Sequence, residues 1–178
     1  FDGQGYTISN FKVTKSTTRT DNVADCPYGL FGNVNGTIKN LNIDNATIAP
    51  ANNGTFAGVL AGRLQKGAVV DKCHITNSTV TITNWQAGGI VGQAYECVIK
   101  NSSVSGTKIT GKSAVGAIVG MVMAEGEYTF DKCAVRNCSI IQDGSFGADY
   151  DLSFGLATGI VNHSNSTLNI NDIVVENN

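Results

Sequence analysis

Cleavage of a glycosidic bond or capture of a hard cation needs carboxylates brought close together, and this chain offers few candidates. A sugar-cleaving pair of acids stands roughly 5–10 Å apart, and calcium takes several oxygen ligands. Asp71 and Asp131 are the most promising pair, but Lys100 falls between them in the repeat described below. The stretch 142–155 carries Asp143, Asp149, Tyr150 and Asp151. Its Asp149 and Asp151 could supply oxygen ligands, but the spacing is generic and no metal is assigned. Asp149, Tyr150 and Asp151 stand as candidate ligand contacts, because loops on a rigid scaffold are where binding residues concentrate. The alternative is a plain surface insertion. Tyr28, Phe56 and Trp85 recur at one flank. Phe56 and Trp85 are candidates for stacking on sugar rings, and the other reading is that these aromatics pack loops against the body.

Other reactive groups point to no mechanism. His74 and His163 have no nearby Ser or Cys in a plausible relay. The paired glycines are followed by no Lys-Ser/Thr, so they are not phosphate loops. The cysteines are Cys26, Cys73, Cys97, Cys133 and Cys138. An odd count without a Cys-x-x-Cys pair reads as free thiols used as small apolar residues. Asn-x-Ser/Thr triplets at Asn45, Asn77 and Asn165 read as repeat chemistry rather than glycan acceptors.

What must position these residues is a repeat. Glycine-bounded apolar segments recur at 29–32, 58–62, 88–92 and 116–120. They close on Gly32, Gly62, Gly92 and Gly120, so successive copies are 30, 30 and 28 residues apart. A period near thirty signals stacked units rather than one closed core. A second pattern follows each segment, with apolar or small residues at offsets 0, +3 and +5: Ile38, Leu41, Ile43; Val70, Cys73, Ile75; Ile99, Ser102, Val104. A further apolar residue at +10 appears as Ile48, Val80, Ile109 and Ile140. Alternation by two is strand spacing, and the three-residue step marks a bend. Helical spacing is nowhere sustained.

The bends carry Asn10, Asn40, Asn101, Lys72, Lys132 and Asp172 at one corner, then Asn45, Asn77, Gly106, Asn137 and Asn177 at the next. Asn and Gly accept left-handed backbone angles. The expectation is an all-β, right-handed parallel β-helix of about six coils with three short strands per coil, coils about 4.8 Å apart. Ile8, Ile38, Val70, Ile99, Phe130 and Ile170 would form one inward column, and Val13, Ile43, Ile75, Val104, Val135 and Val175 another. Lys39, Asp71, Lys100 and Asp131 would alternate in charge along an outward one. Phe31, Ala61, Val91, Val119 and Val161 follow inward residues directly. They would form an exposed apolar stripe, an interface mark, unless the strand bends and covers both.

The segment Gly88-Gly89-Ile90-Val91-Gly92-Gln93-Ala94-Tyr95, running into Val98–Gly106, resembles the GLUG repeat, and 29–43, 58–75 and 116–135 look like diverged copies. The resemblance implies a β-helix array of the kind found in bacterial surface and secreted proteins, including adhesin-like chains, and as a spacer in large secreted peptidases. Thr158-Gly159-Ile160-Val161-Asn162 departs from the pattern, with Asn in place of the closing Gly.

Composition narrows the function. Charged residues make up 15% and the net charge is −2, with no basic tract suited to nucleic acid. No apolar run reaches the roughly 18 residues of a membrane helix. The chain opens in mid-repeat, which reads as a fragment, residues 1–178, of a longer protein. The resulting expectation is a non-enzymatic, cofactor-free module of a bacterial adhesin-like protein. It would lie outside the cell, anchored at the outer membrane, and bind a host protein or glycan alongside neighbouring domains. The rival readings are a carbohydrate-active β-helix enzyme and the peptidase spacer.

Overall fold

A computed structural model describes residues 1–14, 26–51, 56–83, 85–143, 153–155, 158–161 and 165–178. The chain is an all-β solenoid in which every described strand pairing is parallel. No helix among the described residues is long and apolar enough to cross a membrane. Four faces wind in succession. The first is a 9-stranded sheet that includes Thr37–Asp44, Val69–Thr76 and Gly126–Asp131. The second is a 5-stranded sheet containing Thr47–Ile48, Thr79–Thr81 and Lys108–Gly111. The third stacks Pro27–Tyr28, Phe56–Gly58, Gln86–Gly88, Ala114–Gly116 and Ser153–Gly155. The fourth stacks Phe31–Val34, Ala61–Leu64, Val91–Ala94, Val119–Val122 and Thr158–Val161.

Two expectations need adjusting. Five-stranded faces join five levels by four coil-to-coil steps, and only the first face reaches a sixth level, at residues 166–176. The solenoid therefore holds slightly fewer whole turns than six. A coil also holds more than three strands: the third carries Gln86–Gly88, Val91–Ala94, Val98–Lys100, Ser103–Ser105 and Lys108–Gly111 on four faces, because the glycine segment splits into two strands and the first face bends at its corner. In the second coil the glycine segment turns at residues 59 and 60, between Phe56–Gly58 and Ala61–Leu64.

The third and fourth faces approach so closely that side chains between them are excluded. A Cβ on Gly88 would fall on the Val91 carbonyl oxygen, and one on Gly92 would come 2.5 Å from the Ala57 backbone nitrogen. Glycine recurs because backbone meets backbone there. Gly32 holds the same motif position, but its nearest neighbour would be Pro27 O at 3.7 Å. The bend covers both residues of each apolar pair: Leu60 and Ala61, Ile90 and Val91, Ile118 and Val119 are all 0% exposed. Phe31 is only partly buried and packs against that core.

All the anticipated corner residues are left-handed, from Asp172 at φ 49° to Asn10 at 62°. Ile38, Val70, Ile99, Phe130 and Ile170 stack in register, as do Ile43, Ile75, Val104, Val135 and Val175. The opening coil departs. Ile8 pairs with Ile43 and Val13 with Ile48, one column later than expected. The cause is a tight turn: Tyr6 N donates to Gly3 O at 2.9 Å, with Gln4 and Gly5 both at positive φ. That turn replaces the single left-handed corner residue and lengthens the stretch by two.

Cys73, Cys97, Cys133 and Cys138 are buried thiols. Burial pushes Cys73 up to about 11 and Cys97 to about 12. Ser102 lies between Cys73 and Cys133, donating to Lys100 O while its oxygen accepts from Cys73 N at 3.1 Å. Two strand spacings, roughly 9–10 Å, exceed the reach of a disulfide, about 7 Å between Cα atoms.

Candidate functional site: a groove across the third and fourth faces

Parallel stacking brings side chains from equivalent positions side by side. Arg63 and Gln93 are paired positions on consecutive coils of the fourth face, and Met121 continues that column. Phe56 and Gln86 are paired positions on the third. Trp85 precedes Gln86, and its carbonyl accepts from the backbone of Ser113 at 3.0 Å. Tyr95 ends the Val91–Ala94 strand, its amide bonded to Leu64 O at 3.0 Å. Together Phe56, Arg63, Trp85, Gln86, Gln93, Tyr95 and Met123 line a groove of about 250 Å³.

The interior of the groove is ordered by Arg63. Its guanidinium lies 4.5 Å over the Phe56 ring and 5.7 Å from the Tyr95 centroid, distances at which a cation is attracted to a ring face. Its Nε donates to Gln93 Oε1 at 2.7 Å, and Gln93 Nε2 donates to Gln86 Oε1 at 3.4 Å. Gln86 and Gln93 are 6% and 2% exposed.

The sequence candidates therefore separate. Phe56 and Trp85 do converge on one groove. Phe56, however, is 4% exposed with Arg63 over its face, so it positions the guanidinium and offers no open ring. Trp85 and Tyr95 are half-buried and present surface to the groove. Tyr28 is packed into the core cluster. Asp149, Tyr150 and Asp151 lie outside the described residues, as does His163. Arg63, Gln86, Gln93 and Tyr95 were not singled out from sequence. The available signal was long polar residues directly after the closing glycines, Arg63 after Gly62 and Gln93 after Gly92.

The charged column is a ladder. Lys39, Asp71, Lys100 and Asp131 stack in register, and Asp2 extends it by bridging to Lys39. Lys39 Nζ is 3.3 Å from Asp2 and Lys100 Nζ 3.8 Å from Asp71. Such exposed pairs are screened by solvent and add little stability. Corner asparagines cap the acids of the coil before: Asn40 donates to Asp2 at 3.0 Å, Asn77 to Asp44 at 2.9 Å and Asn101 to Asp71 at 2.8 Å. Hydrogen bonds from Thr76 and then Asn77 hold the Asp44 carboxyl below its ordinary value. Asn40 does the same for Asp2, followed by the Gln4 amide. His74 is exposed, its Nδ1 2.9 Å from Ser103 Oγ.

Comparison with known proteins agrees with the GLUG resemblance. Residues 83–110 match the family described as the GLUG motif. A stretch of 95 residues, 52% of this chain, is 37% identical to halomucin of Haloquadratum walsbyi (strain DSM 16790 / HBSQ001). That stretch spans 1% of halomucin's length. The organism is archaeal, so this relative lends no support to a specifically bacterial source. No solved structure matches the chain. The matched residues hold Trp85, Gln86, Gln93 and Tyr95 on a coil that its neighbours repeat in register, so the chain is a β-solenoid with a GLUG motif at residues 83–110.

Proposed function

We propose that this chain is a non-enzymatic repeat module of an extracellular or cell-surface protein, adhesin-like in role, whose groove takes a glycan. The observation that carries the reading is the groove itself. Two half-buried aromatics, Trp85 and Tyr95, flank two buried amides and a guanidinium contributed by consecutive coils. Apolar ring surface beside a few placed polar groups is the usual composition of a small-molecule site. The surface location rests on the GLUG match and on the likeness to halomucin.

A binding role is favoured over sugar cleavage by where the acids sit. Among the described residues no carboxylate lines the groove. Asp71, the acid that the repeat pattern singled out, lies on the first face and is engaged by Lys100 and Asn101. The test is a glycan-array screen of the chain, followed by titration of hits against Trp85→Ala. Binding that falls at least tenfold in the variant supports the proposal. New reducing ends released from a bound polysaccharide would overturn the non-enzymatic part, and hits insensitive to Trp85→Ala would remove the groove from it.

A further inference from the structure

Hydrogen-bond direction in the groove is set by one residue. A guanidinium N–H only donates, so the atom facing Arg63 Nε at 2.7 Å must be the Gln93 oxygen. The Gln93 amide is thereby turned with its NH2 toward Gln86, where Nε2 donates to Oε1 at 3.4 Å. Polarity passes along the chain. With its oxygen occupied, Gln86 keeps its NH2 for whatever enters the groove it lines. The relay is buried, so neither amide can flip without leaving a donor facing a donor.

From this we infer that the groove selects sugars bearing an sp2 oxygen: the acetamido carbonyl of an N-acetylated amino sugar or the carboxylate of a uronic acid. The inference rests on the glycan reading above and narrows it. The ring lies against Trp85 and Tyr95, and the oxygen accepts from Gln86 Nε2. A plain hydroxyl is a poorer match: it can accept from the amide, but its oxygen is a weaker acceptor than a carbonyl or carboxylate, and its own O–H meets amide oxygens that already accept from Arg63 and Gln93. A volume of about 250 Å³, below the roughly 300–1,000 Å³ of sites for drug-sized ligands, suits about one sugar residue.

The experiment is calorimetric titration of the chain with tetra-N-acetylchitotetraose, tetragalacturonate and cellotetraose. Each is repeated with Gln86→Glu, Gln86→Met and Trp85→Ala, with unfolding midpoints recorded for every variant. Either or both of the first two ligands should bind at least tenfold more tightly than cellotetraose, and which does so identifies the oxygen. Gln86→Met should erase that preference. Gln86→Glu keeps an acceptor for Gln93 but presents a carboxylate, so the uronate should lose more than the acetamido sugar. Three equal affinities that all fall in Trp85→Ala would overturn the selectivity and leave the glycan reading standing. Absence of binding, or binding indifferent to Trp85→Ala, would remove both. The Met variant keeps the test valid should the charged one fail to fold.

Discussion

The first face and the doubled glycine wall stack the same coils by different physics. On the first face, side chains do the stacking: Ile38, Val70, Ile99 and Phe130 fill a column inside, and acids, lysines and asparagines interlock outside. Between the third and fourth faces, backbone does it, with Gly88 against Val91 and Gly92 against Ala57. A column of side chains tolerates exchange among residues of similar volume, which is why it holds Ile, Val and Phe. A backbone contact tolerates no Cβ at all. Variation is cheap on one side of the solenoid and expensive on the other. The groove lies on the expensive side.

The largest expected effect breaks the wall. Gly88→Val puts a branched side chain onto the Val91 carbonyl and should cost about 3 kcal/mol or more, seen as loss of a cooperative urea transition. Gly32→Ala, with 3.7 Å to its nearest neighbour, should stay within about 0.5 kcal/mol of the parent. Similar losses from both would mean that the motif, rather than the contact, sets the requirement.

A smaller effect is expected on the first face. Asn101→Ala places a Cβ-bearing residue without a local hydrogen bond at φ 51° and removes the bond to Asp71. The left-handed angle alone costs about 1–2 kcal/mol. Asn101→Gly restores the angle but not the bond, so it should recover most of the loss in urea melts. Equal losses from Ala and Gly would place the stabilisation in the Asn–Asp contact instead.

The smallest effect is a titration. Asp44 is depressed below its ordinary 3.8 by Thr76 and Asn77. A carboxyl depressed in the folded state adds stability that is present above its unfolded value and lost as pH falls through the folded one. The Asp44 contribution should therefore vanish only below about pH 3.8. Thr76→Val should raise the Asp44 carboxyl toward that value in a carbon-detected NMR titration, and an unmoved carboxyl would assign the shift to Asn77.

How far the sequence reached depended on whether a feature recurs. The corners at Asn40, Asn45 and Lys72 were legible because a left-handed angle leaves a residue signature at a fixed offset, whereas Asn10 sits beside Asn45 at the second corner and not, as expected, at the first. Column partners from Ile38 to Ile170 were legible for the same reason. Ile8 was misplaced because the Gly3–Tyr6 turn is a local event that no other coil repeats. Phe56 and Trp85 were legible as aromatics on one flank. Their unlike roles were not, because Arg63 reaches Phe56 across a turn of chain that spacing alone does not measure.

By itself the sequence determined the parallel-stranded solenoid, its corners and its charge ladder, because periodicity imposes identical neighbours on every coil. Only the tertiary structure decided the doubling of the glycine segment into two faces, since how closely two backbones approach is a distance and leaves no mark beyond the glycine that permits it. It also decided the groove. Arg63, Gln93, Gln86 and Tyr95 come together because the fold turns a sharp corner there, and the direction of their hydrogen bonds follows from which atoms that corner sets face to face.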